Sequence, residues 1–131
     1  MSKRRFATIL GLLFLLVGIA GFVPQLIWPA QGGALAMDSP HGLLLGIFPV
    51  NALHNGAHLL FGLWGLAAAR SAGGALLYAR GVAILYALLT LMGMIPGLDD
   101  LFGLMPLYGN DIWLHFGIAA TAAYFGWAHH G

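Results

Sequence analysis

The stretch GLLLGIFPVNALHNGAHLLFGLWGLAAA (residues 42–69) contains no charged side chain, yet a polar stripe runs through its middle. Pro49 followed by Asn51 marks a helix start near Asn51, because an asparagine side chain satisfies the first free N–H groups of a helix. From Asn51 to Ala69 the run approaches the roughly 20 apolar residues needed to cross a hydrocarbon core of about 30 Å. Working outward, Phe6 to Val23 is also charge-free and ends at Pro24, and a third run is stopped by Pro96 and Gly97. A fourth extends from about Asn110 to Trp127. This pattern predicts an all-α integral membrane four-helix bundle with spans at about 6–23, 51–69, 74–95 and 110–127, forming one transmembrane domain over residues 1–131. Trp28, Tyr108 and Trp113 are then expected at one interface, with Tyr78 and Trp127 at the other.

Composition supports a lipid environment. Of 131 residues, 60% are hydrophobic and 7% charged, against roughly 25% charged in a soluble domain. Most of the 20 glycines lie inside apolar runs, where they let membrane helices approach closely. The lipid bilayer is therefore the expected partner, and a homo-oligomer or a larger membrane complex is left open. Nucleic acid is not, since only five Lys and Arg exist and three of them are clustered at Lys3, Arg4 and Arg5. The absence of cysteine excludes disulfides, thiolate metal sites and cysteine nucleophiles.

Charge sets the expected orientation. Lys3, Arg4, Arg5, Arg70 and Arg80 fall on one side of the four-span arrangement, and Asp38, Asp99, Asp100 and Asp111 on the other. Counting Lys and Arg puts both termini in the cytoplasm, for a multi-pass protein of the bacterial inner membrane. Arg80 lies inside the third run, from which its guanidinium can reach back to the cytoplasmic surface. A cleaved signal peptide is the competing reading of the N-terminus, with Ala34-Leu35-Ala36 as a cleavage site. The first apolar run exceeds the usual 7–15-residue signal core, so it is read as a retained span.

An internal repeat points the same way. Gly46-Ile47-Phe48-Pro49 precedes His58, and Gly103-Leu104-Met105-Pro106 precedes His115 at a common offset of 57 residues. Gly21-Phe22-Val23-Pro24 and Gly93-Met94-Ile95-Pro96 close the first and third runs at an offset of 72 residues. Two equivalent helical hairpins, related by an axis along the membrane normal, are expected from this.

Gly46-Ile47-Phe48-Pro49-Val50-Asn51-Ala52-Leu53-His54-Asn55-Gly56-Ala57-His58, continuing through Leu59-Leu60-Phe61-Gly62-Leu63-Trp64-Gly65, resembles the core motif of a bacterial four-helix membrane family, domain-of-unknown-function family 4383. Tyr78-Ala79-Arg80-Gly81 and the stretch from Gly103 to Gly117 are also similar to it, so the resemblance covers nearly the whole chain after Lys3. The family's second motif is similar to Asp-Asn-Trp-Leu-His, where this chain has Asp111-Ile112-Trp113-Leu114-His115. The resemblance implies fold and location and supplies no activity.

Asn51, His54, Asn55 and His58 stand at i, i+3, i+4 and i+7, one stripe on one helix face. Tyr108, Asp111 and His115 repeat the spacing i, i+3, i+7, and the repeat superposes His58 on His115 and His54 on Asp111. Buried polar groups cost several kcal/mol unless paired, so these side chains are expected to converge between the second and fourth helices. Three readings compete. In one, the histidines and asparagines are interhelical hydrogen-bond glue in a non-catalytic structural or accessory subunit. In the second, His54, His58, Asp111 and His115 bind a divalent metal, with Asn51 and Asn55 as supporting polar groups. In the third, His58 and His115 ligate haem b in a redox protein. A proton relay through the same residues is a minor variant. Asp111, in the first turn of its helix, has an ordinary role in complementing the helix dipole.

Other candidates read as structural. His41 lies in a loop, His129 and His130 suit the negative end of a helix, and Asp99 and Asp100 suit a solvated turn. Gly65-x-x-x-Ala69 and Gly117-x-x-x-Thr121 have small-residue packing spacings. There is no phosphate-binding glycine loop, Ser-His-Asp set or His-Glu-x-x-His motif, so an enzyme is not the favoured reading.

Overall fold

The computed structural model describes residues 1–28 and 42–129. Ala34-Leu35-Ala36, Asp38, His41 and His130 lie outside the described residues. Four helices carry the fold: α1 (Lys3–Ala20), α2 (Ala52–Ala68), α3 (Ala72–Gly93) and α4 (Asp111–Ala123). Side chains start three of them, with Ser2, Asn51 and Ser71 accepting bonds from the N–H groups of Arg5, His54 and Gly74. Between α1 and α2 lies a three-stranded antiparallel sheet, β1 (Ile27–Trp28), β2 (Gly42–Leu44) and β3 (Phe48–Val50). Its register pairs Ile27 with Leu44 and Leu43 with Pro49. A π-helical turn, Tyr124–Ala128, closes the chain after α4.

The expectation of an all-α integral membrane bundle does not hold. Residues 48–50 of the charge-free run pair as a strand, and α2, close to the expected 51–69, has 17 residues. The last apolar run ends in the π-turn, leaving α4 with 13 residues. That is about 20 Å at 1.5 Å per residue, short of a hydrocarbon core of about 30 Å. α1 has 18 residues but begins with Lys3, Arg4 and Arg5. Among the described helices only α3, with 22 residues, is long and apolar enough to cross a membrane. One such helix supports membrane association and not four crossings, and the N-in/C-in arrangement that required an even number of spans goes with them.

The hairpins are not equivalent either. α1 packs chiefly on α2 and α3 chiefly on α4, but strands lead into α2 whereas a series of turns leads into α4. What the repeated segments share is local. Leu45-Gly46 and Phe102-Gly103 both adopt left-handed backbone, with the glycines at φ 72° and 81°. Asn51 Nδ2 donates to the Leu104 carbonyl at 2.8 Å and Asn110 Nδ2 to the Ile47 carbonyl at 3.1 Å. Each connection is thus tied to the start of the other pair's second helix.

α1 meets α2 backbone to backbone. A Cβ on Gly11 would lie 2.9 Å from the Gly62 carbonyl oxygen, and one on Gly65 would lie 2.8 Å from the Tyr78 hydroxyl. Tyr78 is fully buried and donates to the Phe61 carbonyl, so it is a core residue and not an interface aromatic. Gly117, by contrast, faces open space, and Thr121 bonds back to its carbonyl within α4. Arg80 is exposed; its Nε donates to the Gly126 carbonyl and its guanidinium lies over Trp127, which secures the π-turn. Asp99 and Asp100 are half-buried and organise the α3–α4 connection: Asp100 Oδ1 accepts from Gly103, and the two carbonyls accept from Leu107 and Met105.

Gly11→Val is expected to destabilise the fold by about 1–3 kcal/mol, the usual cost of overpacking, because the atoms it meets are backbone. Gly117→Ala should leave stability unchanged or raise it by up to about 1 kcal/mol, as alanine is the better helix former. Thermal unfolding of the two variants beside the parent checks both signs.

A candidate metal centre between α2 and α4

The polar stripe of α2 is buried. Asn51 and Asn55 are 0% exposed, His54 and His58 2–3%, and Asp111 and His115 of α4 both 1%. Helical spacing puts His54 and His58 on one face, ring centroids 4.5 Å apart. His115 faces them from α4, its ring centroid 5.8 Å from that of His54. One ring nitrogen from each of the three histidines lies within 4.8 Å of the other two. The structure thus brings together the three imidazoles that the sequence singled out.

Asp111 stands differently. Its Oδ2 is 3.5 Å from His54 Nδ1, too far for a formed hydrogen bond, and it does not belong to the three-nitrogen cluster. This is the position of a carboxylate that orients a ligating histidine from behind, a common outer-shell partner in metal sites. The Pro49 carbonyl also faces the His54 ring.

The asparagines and the histidines differ in their hydrogen bonds. Asn51 accepts from the His54 N–H at 2.8 Å while donating to Leu104, and Asn55 donates to the Gly21 carbonyl at 2.7 Å. These amides act as glue, joining α2 to the α3–α4 connection and to the end of α1. His54 Nδ1, His58 Nδ1, both ring nitrogens of His115 and Asp111 Oδ2 have no hydrogen-bond partner, and neither has the amide oxygen of Asn55. Buried polar groups of this kind are normally paired, and convergent, unpaired imidazole nitrogens are the donor set a transition metal takes.

Aromatic rings fix the imidazoles in place. Phe14 of α1 stacks on His58 with centroids 5.7 Å apart, and Tyr86 of α3 meets His115 edge-on at 5.1 Å. Beside the cluster is a cavity of about 190 Å³, walled by Ala57, Phe61, Leu85, Leu88, Leu89, Met105 and Leu107. Sequence reasoning missed Phe14, Tyr86 and Met105. Tyr86 stands two turns beyond Tyr78 and four residues before Thr90, which gave it a signal as a polar-tipped ring on the buried face of α3. Phe14 offers none, being one apolar residue among many.

Haem fits poorly. A third imidazole, His54, lies with its ring centroid 4.5 Å from His58 and 5.8 Å from His115, and the cavity of about 190 Å³ is smaller than the roughly 300–1,000 Å³ of ordinary ligand pockets.

The model of the family described as Domain of unknown function (DUF4383) matches residues 4–128. The chain belongs to this family. The match covers all four helices and every residue of the cluster, so the site lies within the part that defines a DUF4383 protein. No curated protein and no solved structure matches the chain.

Asn51→Ala should remove the cap of α2 and the tie to Leu104 together, costing about 2 kcal/mol. Asn51→Ser keeps an acceptor for the His54 N–H but cannot reach Leu104, so it should cost about half as much. Equal losses in denaturant unfolding would mean that the cap contributes nothing, and an unchanged Asn51→Ser that the Leu104 bond contributes nothing.

Proposed function

We propose that this is a membrane-associated metal-binding protein, holding one transition-metal ion between His54, His58 and His115, with Asp111 behind His54. The observation that carries the reading is three buried imidazoles that converge on one another, each with at least one ring nitrogen lacking a hydrogen bond. Hydrogen-bond glue requires pairwise bonds; the amide N–H groups of Asn51 and Asn55 make them, whereas each histidine keeps at least one ring nitrogen without a partner. Neutral imidazole is the ligating form, and three imidazoles this close repel one another when protonated. A bound ion needs His nitrogens near 2.0–2.1 Å, so the rings must close by a modest movement toward a common centre.

A location at the bacterial inner membrane is the second part of the proposal. Leu60, Leu63, Leu77, Ile84, Leu88, Leu91, Trp113 and Phe116 are all exposed. Apolar surface on that scale marks contact with lipid or a partner. Lys3, Arg4 and Arg5 at the start of α1 suit the anionic cytoplasmic leaflet. Nothing in the donor set calls for a reaction, and an accessory or binding role is the one proposed.

Metal analysis of the purified protein should find one ion per chain. His58→Ala and His115→Ala should each abolish it, whereas His129→Ala, at the far end of α4, should retain it. Metal-free protein whose histidine variants only lose about 1–2 kcal/mol of stability, the range for interhelical hydrogen bonds, would return the cluster to a structural role.

A further inference from the structure

One side chain in the cavity wall besides the imidazoles carries a donor atom for a soft metal. Met105 lines the cavity with His54, His58 and His115. It is half-buried, its N–H is held by the Asp100 carbonyl at 3.0 Å, and it leads directly into the buried pair Pro106 and Leu107. Thioether sulfur selects copper in its cuprous state, whereas oxygen donors suit harder ions.

Charge balance favours the same ion. The three imidazoles and the thioether are all neutral donors. Asp111 is the one buried carboxylate among the described residues, and beside a cation it supplies a single negative charge. A divalent ion would leave a net positive charge against Phe61, Leu85 and Leu89, and uncompensated charge in apolar surroundings is costly. A monovalent ion closes the balance.

We infer that the site binds cuprous copper, with His54, His58, His115 and Met105 as donors and Asp111 as the counter-charge that also orients His54. The inference rests on the three-histidine reading proposed above and adds to it the oxidation state and the fourth donor.

The test titrates the purified protein anaerobically with Cu(I) against a competing cuprous chelator, and separately with Zn(II). The parent should bind one Cu(I) per chain, and Met105→Leu, nearly equal in volume, should bind it at least about tenfold more weakly. Zn(II) binding should be the same in both. X-ray absorption at the copper edge should show a sulfur neighbour in the parent, a readout that does not depend on the variant folding. Equal Cu(I) affinity in the two proteins, tighter binding of Zn(II) than of Cu(I), or no sulfur neighbour would overturn the cuprous assignment while leaving the three-histidine site intact. Failure of the parent to bind either ion would overturn both.

Discussion

Two hydrogen bonds from one side chain determine where α2 begins and what it faces. Asn51 accepts from the His54 N–H and donates to the Leu104 carbonyl. The first bond ends β3 and starts the helix, which places His54 and His58 on the same face three and seven residues later. The second pins that start to the segment leading into α4. Because Asn110 returns the favour by bonding to the Ile47 carbonyl, neither connection can shift without breaking a bond to the other. His115 is thereby brought opposite the two histidines of α2, although the backbones of α2 and α4 scarcely approach one another. The site is thus positioned by polar ties between connections, and the tight backbone packing of α1 on α2 through Gly11 and Gly62 supports it from the other side.

That division has a consequence for stability. An amide carries both donor and acceptor, so Asn51 can cap a helix and bridge to a carbonyl at once. A neutral imidazole has one donor and one acceptor on opposite sides of a rigid ring, which is harder to satisfy from helical neighbours. Leaving a buried polar group unmade costs about 1–3 kcal/mol, a large fraction of the roughly 5–15 kcal/mol that holds an ordinary domain together. With both nitrogens of His115 unpaired, along with atoms of His54, His58 and Asp111, the cluster is a local weakness unless something occupies it. An ion satisfies several of these atoms in one event, which is how metal binding becomes folding free energy.

The polar stripe was legible because it violates its surroundings. Asn51, His54, Asn55, His58, Asp111 and His115 are conspicuous in apolar sequence, and a period of 3.6 places them on faces without further information. The architecture was less legible because charge-free runs do not declare their backbone. Pro49 and Asn51 marked where the helix begins, but nothing local showed that Phe48-Pro49-Val50 pairs with Gly42–Leu44 as a strand, because pairing is non-local. The same ambiguity hid the π-turn at Tyr124–Ala128. Asp111 was grouped with the ligands because the repeat superposes it on His54, but superposition fixes a position along the helix and not the distance to a common centre. Met105 escaped notice for another reason. A thioether among leucines carries no periodic signal, and only the fold of the α3–α4 connection brings it to the cavity that the histidines line.

The apolar exterior and the polar interior are two sides of one constraint. In water, an imidazole cluster can be left open and hydrated at little cost. Here many outward-facing side chains are leucine, isoleucine, phenylalanine and tryptophan, and the polar side chains of α2 and α4 turn inward. Inward space is limited by close helix contacts at Gly11, Gly62 and Gly65, leaving one small cavity against the cluster. A site made under those conditions has neutral donors, one carboxylate held at second rank, and little room for water. Low effective dielectric then strengthens every charge interaction within it. Under the cuprous proposal, Asp111 is the nearby counter-charge, and the ion that suits the site is the one whose charge it can cancel.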